Sequence, residues 1–222
     1  MKGRRLYLFD IDGTLIASGG AGGKAMSAAF QAVWGHADGF AGVEFSGRTD
    51  RAILRDALRL TNAGSAVFHT DLARFKRAYY RRLPESLVAT KGRVLPGVAG
   101  LLGRLADDPD ASLGLATGNF RHSARMKLGH YGLDAFFVAG GFGDRSEHRA
   151  EMVAAAVGVF RARGRHDTVF VIGDTVHDIR SAKANGVVAV GVTTGTYSAE
   201  ALSDAGSDIV LASLDEAEGW II

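Results

Sequence analysis

The sequence predicts an α/β protein: a Rossmann-like parallel sheet core with a block of helices inserted after the first strand. Three observations carry that expectation. Short apolar runs alternate with helix-length amphipathic stretches, as parallel strands and their crossover helices do. The first run, Leu6-Tyr7-Leu8-Phe9, ends on two carboxylates, Asp10 and Asp12, with Gly13 and Thr14 behind them. Between that run and the next convincing one lie about a hundred residues that read as helix.

The strands follow in order. The spacing predicts Leu6 to Phe9, Ala111 to Ala116, Phe136 to Ala139, Thr168 to Ile172 and Val187 to Val192, with a short edge strand at Ile209 to Leu211. Helices are predicted over Val98 to Leu105, Arg121 to Tyr131, Glu147 to Arg163, Val176 to Ala184 and Ala199 to Ala205. Within the long interval, three apolar faces fall at helical spacing. They are Met26, Phe30, Val33 and Trp34; Ile53, Leu54, Ala57 and Leu58; and Leu72, Phe75, Tyr79 and Leu83. The insertion is expected over 18–87, hinged at Ser18-Gly19-Gly20 and in the region of Pro84 to Pro96, leaving 1–17 and 88–222 as the core.

Composition narrows the class. Hydrophobic residues make up 47% and charged residues 23% of the 222, which supports a sizeable core and argues against wholesale disorder. A formal charge of +2 is too small to argue for nucleic acid or a membrane surface, and no apolar run approaches a membrane span. The absence of cysteine excludes disulfides, thiolate metal sites and a cysteine nucleophile, and it suits a reducing compartment. The basic start at Met1 to Arg5 is followed by an apolar stretch that stops at Asp10, too short for a signal peptide. A soluble cytoplasmic protein, monomer or homodimer, with no nucleic-acid or membrane partner, is expected.

The chemistry concentrates beyond the carboxyl ends of the strands, where open α/β sheets bind ligands. Asp10 and Asp12 follow the first strand. Thr117-Gly118-Asn119 follows the second and opens a helix whose free N–H groups suit an anion. Gly173-Asp174-Thr175-Val176-His177-Asp178 follows the strand at Thr168 to Ile172, and Arg149 lies before the helix that precedes it. Four acids brought together repel one another unless a divalent ion neutralises them. Hard oxygen ligands without cysteine or paired histidine suggest Mg²⁺ rather than zinc. The glycine cluster Gly19 to Gly23 lacks the spacing of a phosphate-binding P-loop and fits a hinge and helix start. Arg48 in Gly47-Arg48-Thr49-Asp50 is a candidate to select a second anionic group, while Thr49 or Asp50 caps the helix behind it.

Asp10-x-Asp12-Gly13-Thr14, Thr117-Gly118-Asn119 and Gly173-Asp174-x-x-x-Asp178, in this order and spacing, resemble the motifs of the haloacid dehalogenase superfamily. The likeness is to its phosphatase branch, near the phosphoglycolate phosphatase group, and extends over nearly the whole chain. The resemblance implies that the helical insertion is a mobile cap and that a small phosphorylated metabolite is the substrate. It implies Asp10 as nucleophile, Asp12 as general acid and base, and Thr117, Gly118, Asn119 and a cation as phosphate ligands. For Mg²⁺ it implies Asp10, Asp174, the main-chain carbonyl of Asp12, and Asp178 in support. Many members carry a Lys-Pro pair at the phosphate-binding cation, and none occurs here; Arg149 is the choice and Arg145 the reserve. The same core chemistry serves a phosphatase or a sugar phosphomutase; a non-catalytic phosphometabolite binder is the rival from another class.

Overall fold

The computed structural model describes residues 3–63 and 68–219. Its core is a six-stranded sheet in which every paired neighbour is parallel, β5-β4-β1-β6-β7-β8. The strands are β1 (Arg5–Phe9), β4 (Ala111–Thr117), β5 (Gly140–Phe142), β6 (Thr168–Gly173), β7 (Val188–Val192) and β8 (Ile209–Leu211). Helices α4 (Val98–Asp107), α5 (Arg121–His130), α6 (Arg149–Arg161), α7 (Val176–Ala184) and α8 (Ala199–Asp204) provide the crossovers.

The two-residue period of β1 divides its side chains between two layers. Tyr7 and Phe9 join Leu101, Leu102, Leu105 and Leu128 from α4 and α5. Leu6 and Leu8 join Val153, Ala156 and Phe160 of α6 and Ile179 of α7. Helices therefore cover both faces, as a parallel sheet requires. β1 lies between β4 and β6, with Phe9 in register with Leu115 and Ile172. That register brings the ends of these three strands side by side.

The chain departs along β2 (Ile16–Ala17) and returns along β3 (Arg93–Val94), an antiparallel pair that closes the base of the insertion. Between them lie α1 (Ala21–Trp34), α2 (Asp50–Leu60) and α3 (Phe68–Ala89), which carry the three apolar faces the spacing predicts. They pack into a cluster of their own around Phe30, Leu54, Phe75 and Tyr79, joined by Phe120 from the core. Helix α3 runs through Pro84 to Ala89, because Leu83 and Leu87 stay buried on either side of the proline.

One strand lies off its predicted place. Phe136 to Ala139 does not form the edge strand; a 3₁₀ turn occupies Asp134–Phe136, and β5 follows at Gly140–Phe142. The physical reason is space. A β-carbon on Gly140 would stand 2.5 Å from the Leu115 carbonyl oxygen, and one on Gly141 would collide with the Met152 carbonyl oxygen. Glycine has low strand propensity, so the propensity signal settles on the apolar residues before it, of which Val138 is 67% exposed. Gly141→Ala is expected to cost about 1–3 kcal/mol through overpacking, read as a lower urea midpoint with an unchanged slope.

Candidate active site

Asp10 follows β1 directly and is 5% exposed. Its carboxylate meets the Arg149 guanidinium at 3.1 Å, and the Thr117 hydroxyl at the end of β4 is a hydrogen-bond partner. Gly13 turns the chain at φ +85°, a conformation that favours glycine. A β-carbon there would also run into the carboxylate of Asp174. Asp174, after β6, accepts a 3.1 Å hydrogen bond from the Thr14 hydroxyl.

Asp178 sits at the start of α7 in a reciprocal cap. Its Oδ2 accepts from the Thr175 N–H at 3.1 Å and hydroxyl at 2.7 Å, while its own N–H donates to Thr175 Oγ1 at 3.3 Å. Its other oxygen pairs with Arg149. Capping and site support are thus one arrangement.

Asp10, Asp174 and Asp178 each offer an oxygen within 4.8 Å of the others, all three buried. Burial, opposed by Arg149 and reinforced by repulsion from Asp178 and Asp12, pushes the Asp10 carboxyl up to about 6. Burial with Asp178 and Asp10 beside it pushes Asp174 up to about 8. Crowded hard oxygens whose charges oppose one another fit a divalent cation, and Mg²⁺ suits such a donor set. The Asp12 carboxylate is not among these three.

Asp12 faces the other way. Its Oδ1 accepts from the Ser18 hydroxyl at 3.1 Å, and its Oδ2 accepts from Asn119 Nδ2 at 2.9 Å and from Lys127 Nζ at 2.6 Å. Desolvation would raise this carboxyl, but the Lys127 charge and these hydrogen bonds outweigh it and hold it below the ordinary value. Asn119 Nδ2 also donates to Thr117 Oγ1 at 2.9 Å, so the amide ties the two strand ends together.

Above these groups lies a cavity of about 430 Å³, walled by the inserted segment through Gly22, Met26, Phe45, Arg48, Ile53 and Tyr79. Polar contacts join the two sides. The Asp50 N–H donates to the Gly118 carbonyl oxygen at 2.8 Å, and Asp50 Oδ2 accepts from the Phe120 N–H at 2.8 Å. Lys76 reaches Asp144 at 2.6 Å and Arg55 reaches Glu147 at 2.7 Å.

Every predicted site residue lines the cavity or borders it. Asp10, Asp12, Gly118, Asn119, Arg149 and Asp174 line it, while Thr117 and Asp178 stand behind Asp10 and Arg149. Gly118 also receives the insertion through its carbonyl, and Arg48 lines the cavity while paired with Asp56 at 2.7 Å. Arg145 is exposed and lines a different depression, whereas Arg149 is the cation paired with Asp10. Thr14, Asp50 and Lys127 were not anticipated. For Lys127 a signal exists: it shares a helix face with Ala124 and Leu128, and a lysine on a buried face needs a partner.

Acids, a threonine and a buried arginine thus converge at the carboxyl edge of a parallel sheet, the place where α/β proteins bind their ligands. The sequence model of the haloacid dehalogenase-like hydrolases matches residues 5–186, and the chain belongs to that family. No curated protein matches the chain significantly. Among solved structures it resembles a predicted phosphatase from Clostridium acetobutylicum, with TM-score 0.71, 20% identity and 97% of each chain covered. It also resembles a haloacid dehalogenase-like family protein from Streptococcus pneumoniae, with TM-score 0.68, 17% identity, and 99% of this chain and 98% of that one covered. A third is a predicted phosphoglycolate phosphatase from Haemophilus somnus, with TM-score 0.67, 17% identity, and 98% and 97% covered. At these identities the similarity shows the fold alone.

The raised carboxyls carry a sign. Stability of the metal-free protein falls as pH rises from the ordinary carboxylate range through about 6 for Asp10 and about 8 for Asp174, because the fold holds protons that the unfolded chain releases. Mg²⁺ held by these acids would relieve that penalty only where they are charged. The rise in melting temperature on adding Mg²⁺ is therefore expected to be larger at pH about 9 than at pH about 5.

Proposed function

We propose that the protein is a Mg²⁺-dependent phosphatase that hydrolyses a small phosphate monoester through an aspartyl phosphate on Asp10. The observation that supports this most directly is the placement of two differently held acids on either side of one site. Asp10 lies among Arg149, Thr117 and the other acids, and Asp12 lies toward the cavity, held by Ser18, Asn119 and Lys127.

The division of labour follows from that placement. An Asp10 oxygen attacks phosphorus, and the bond from phosphorus to the leaving oxygen breaks with its electron pair on that oxygen. Asp12 gives the leaving oxygen a proton, then takes one from the water that opens the aspartyl phosphate, which releases phosphate and restores Asp10. The Arg149 guanidinium and the Thr117 hydroxyl hold phosphoryl oxygens while charge moves. Asp10, Asp174 and the Asp12 carbonyl would hold Mg²⁺, with Asp178 in support, and the bound ion would neutralise these acids and the phosphate.

The cavity sets the scale of the substrate. About 430 Å³ accommodates a phosphate ester of a small metabolite, with Met26, Phe45, Ile53 and Tyr79 on the side opposite the acids. The inserted helices act as a cap that excludes bulk water and selects the leaving group. The enzyme works on this metabolite in the cytoplasm, as a monomer or homodimer, without nucleic acid or membrane.

Phosphate release from 4-nitrophenyl phosphate is expected to require Mg²⁺ and to fall on the order of 1,000-fold or more in Asp10→Asn. Turnover that survives this substitution overturns the covalent route. Isomerisation of a sugar phosphate without phosphate release would mark a phosphomutase built on the same nucleophile.

A further inference from the structure

Lys127 is the cation that the scheme above leaves without a task. It projects from α5 and is 4% exposed, and its Nζ donates to Asp12 Oδ2 and to Asn119 Oδ1, each at 2.6 Å. Asn119 Nδ2 donates to the same Asp12 oxygen at 2.9 Å, so ammonium and amide form a closed triangle on Oδ2. The other wall of the cavity has been cleared for this group: a β-carbon on Gly22 of α1 would stand 3.1 Å from Nζ. The phosphoryl end of the site already has its own cation in Arg149, which pairs with Asp10 and Asp178.

The two oxygens of Asp12 are held unequally. Oδ2 is committed to two donors from the core. Oδ1 has a single 3.1 Å hydrogen bond from Ser18, at the start of the insertion. The Asp12 side chain is 38% exposed and that of Lys127 only 5%, so the lysine backs a carboxylate that faces the cavity. Burying an ammonium is expensive, and a pair that served packing alone would be replaceable by apolar side chains.

We propose that Lys127 is the positioning residue for the leaving-group half of the reaction: with Asn119 it pins Oδ2 of Asp12 and leaves Oδ1 to serve the departing oxygen. This rests on the phosphatase reading. As the bond from phosphorus to the leaving oxygen breaks, that oxygen keeps the electron pair and takes the proton from Asp12. Asp12 enters this step protonated, against the preference for the carboxylate that Lys127 and the amide give it; once the proton has left, both donors hold the carboxylate in place. Phosphorus is then bonded to Asp10. The demand on Lys127 therefore scales with the basicity of the leaving group.

Two esters of similar size separate this role from a structural one. 4-Nitrophenyl phosphate departs without needing a proton, whereas benzyl phosphate departs as a basic alkoxide unless protonated. Lys127→Met keeps the apolar stem and removes the charge. Its kcat on benzyl phosphate is expected to fall on the order of 100-fold, the scale of general acid catalysis, against a few-fold on 4-nitrophenyl phosphate, with KM for both little changed. Lys127→Arg retains the charge with displaced donors and shows the same split at intermediate size, which carries the comparison should Lys127→Met fail to fold. Equal losses on the two esters, or an unimpaired benzyl phosphate turnover, overturn the role of Lys127 and leave the phosphatase reading standing. Wild type that releases phosphate from neither ester overturns both.

Discussion

The structure depends on keeping three carboxylates in one small buried space. Two charges 4.8 Å apart repel by on the order of 3 kcal/mol at an effective dielectric constant of ~20, and Asp10, Asp174 and Asp178 multiply that pair. Nothing in a hydrophobic core calls for such an arrangement. The surroundings are organised to bear it: Arg149 bridges two of the acids, Thr14 donates to the third, and Thr175 and Asp178 cap one another. The remaining imbalance is what a divalent cation and a phosphoryl group would meet, so the repulsion among these acids and the proposed chemistry have one origin.

The sheet order makes that concentration of charge possible. With β1 between β4 and β6, Asp10 arrives beside Thr117 and Asp174 although 107 and 164 positions separate it from them in the chain. Where they approach the site, these strands are apolar on both faces and buried, a setting that holds the side chains at their ends in fixed places. Gly13 and Asp174 illustrate the tolerance: the turn after β1 approaches the acid after β6 so closely that only glycine fits.

The inserted helices meet the core through a seam of a different character. Within themselves they bury an aromatic cluster, but across the cavity they rely on Asp50 against the Phe120 and Gly118 main chain and on Lys76 and Arg55 against Asp144 and Glu147. Partly exposed ion pairs of this kind contribute about 0–1 kcal/mol each, beside the apolar contact that Phe120 makes with the insertion's cluster. Lys127 lies on that seam, bonded to Asp12 of the core and beside Gly22 of the insertion.

The local pattern of residues determined much of this by itself. Short continuous apolar runs leading to Asp10, Thr117 and Asp174 specified a parallel sheet and the edge where its chemistry lies, because strand burial and strand-end polarity are written in adjacent residues. Three helical faces between residues 26 and 83 were legible for the same reason. The position of β5 was not, since Gly140 and Gly141 are required by the neighbouring Leu115 and Met152 main chain and carry no strand propensity. Arg149 was expected at the site and lies against Asp10, but the pairing of Lys127 with Asp12 was not legible. A single lysine or arginine records its charge in the sequence, whereas its partner is chosen by contacts between segments that only the folded chain brings within hydrogen-bonding distance.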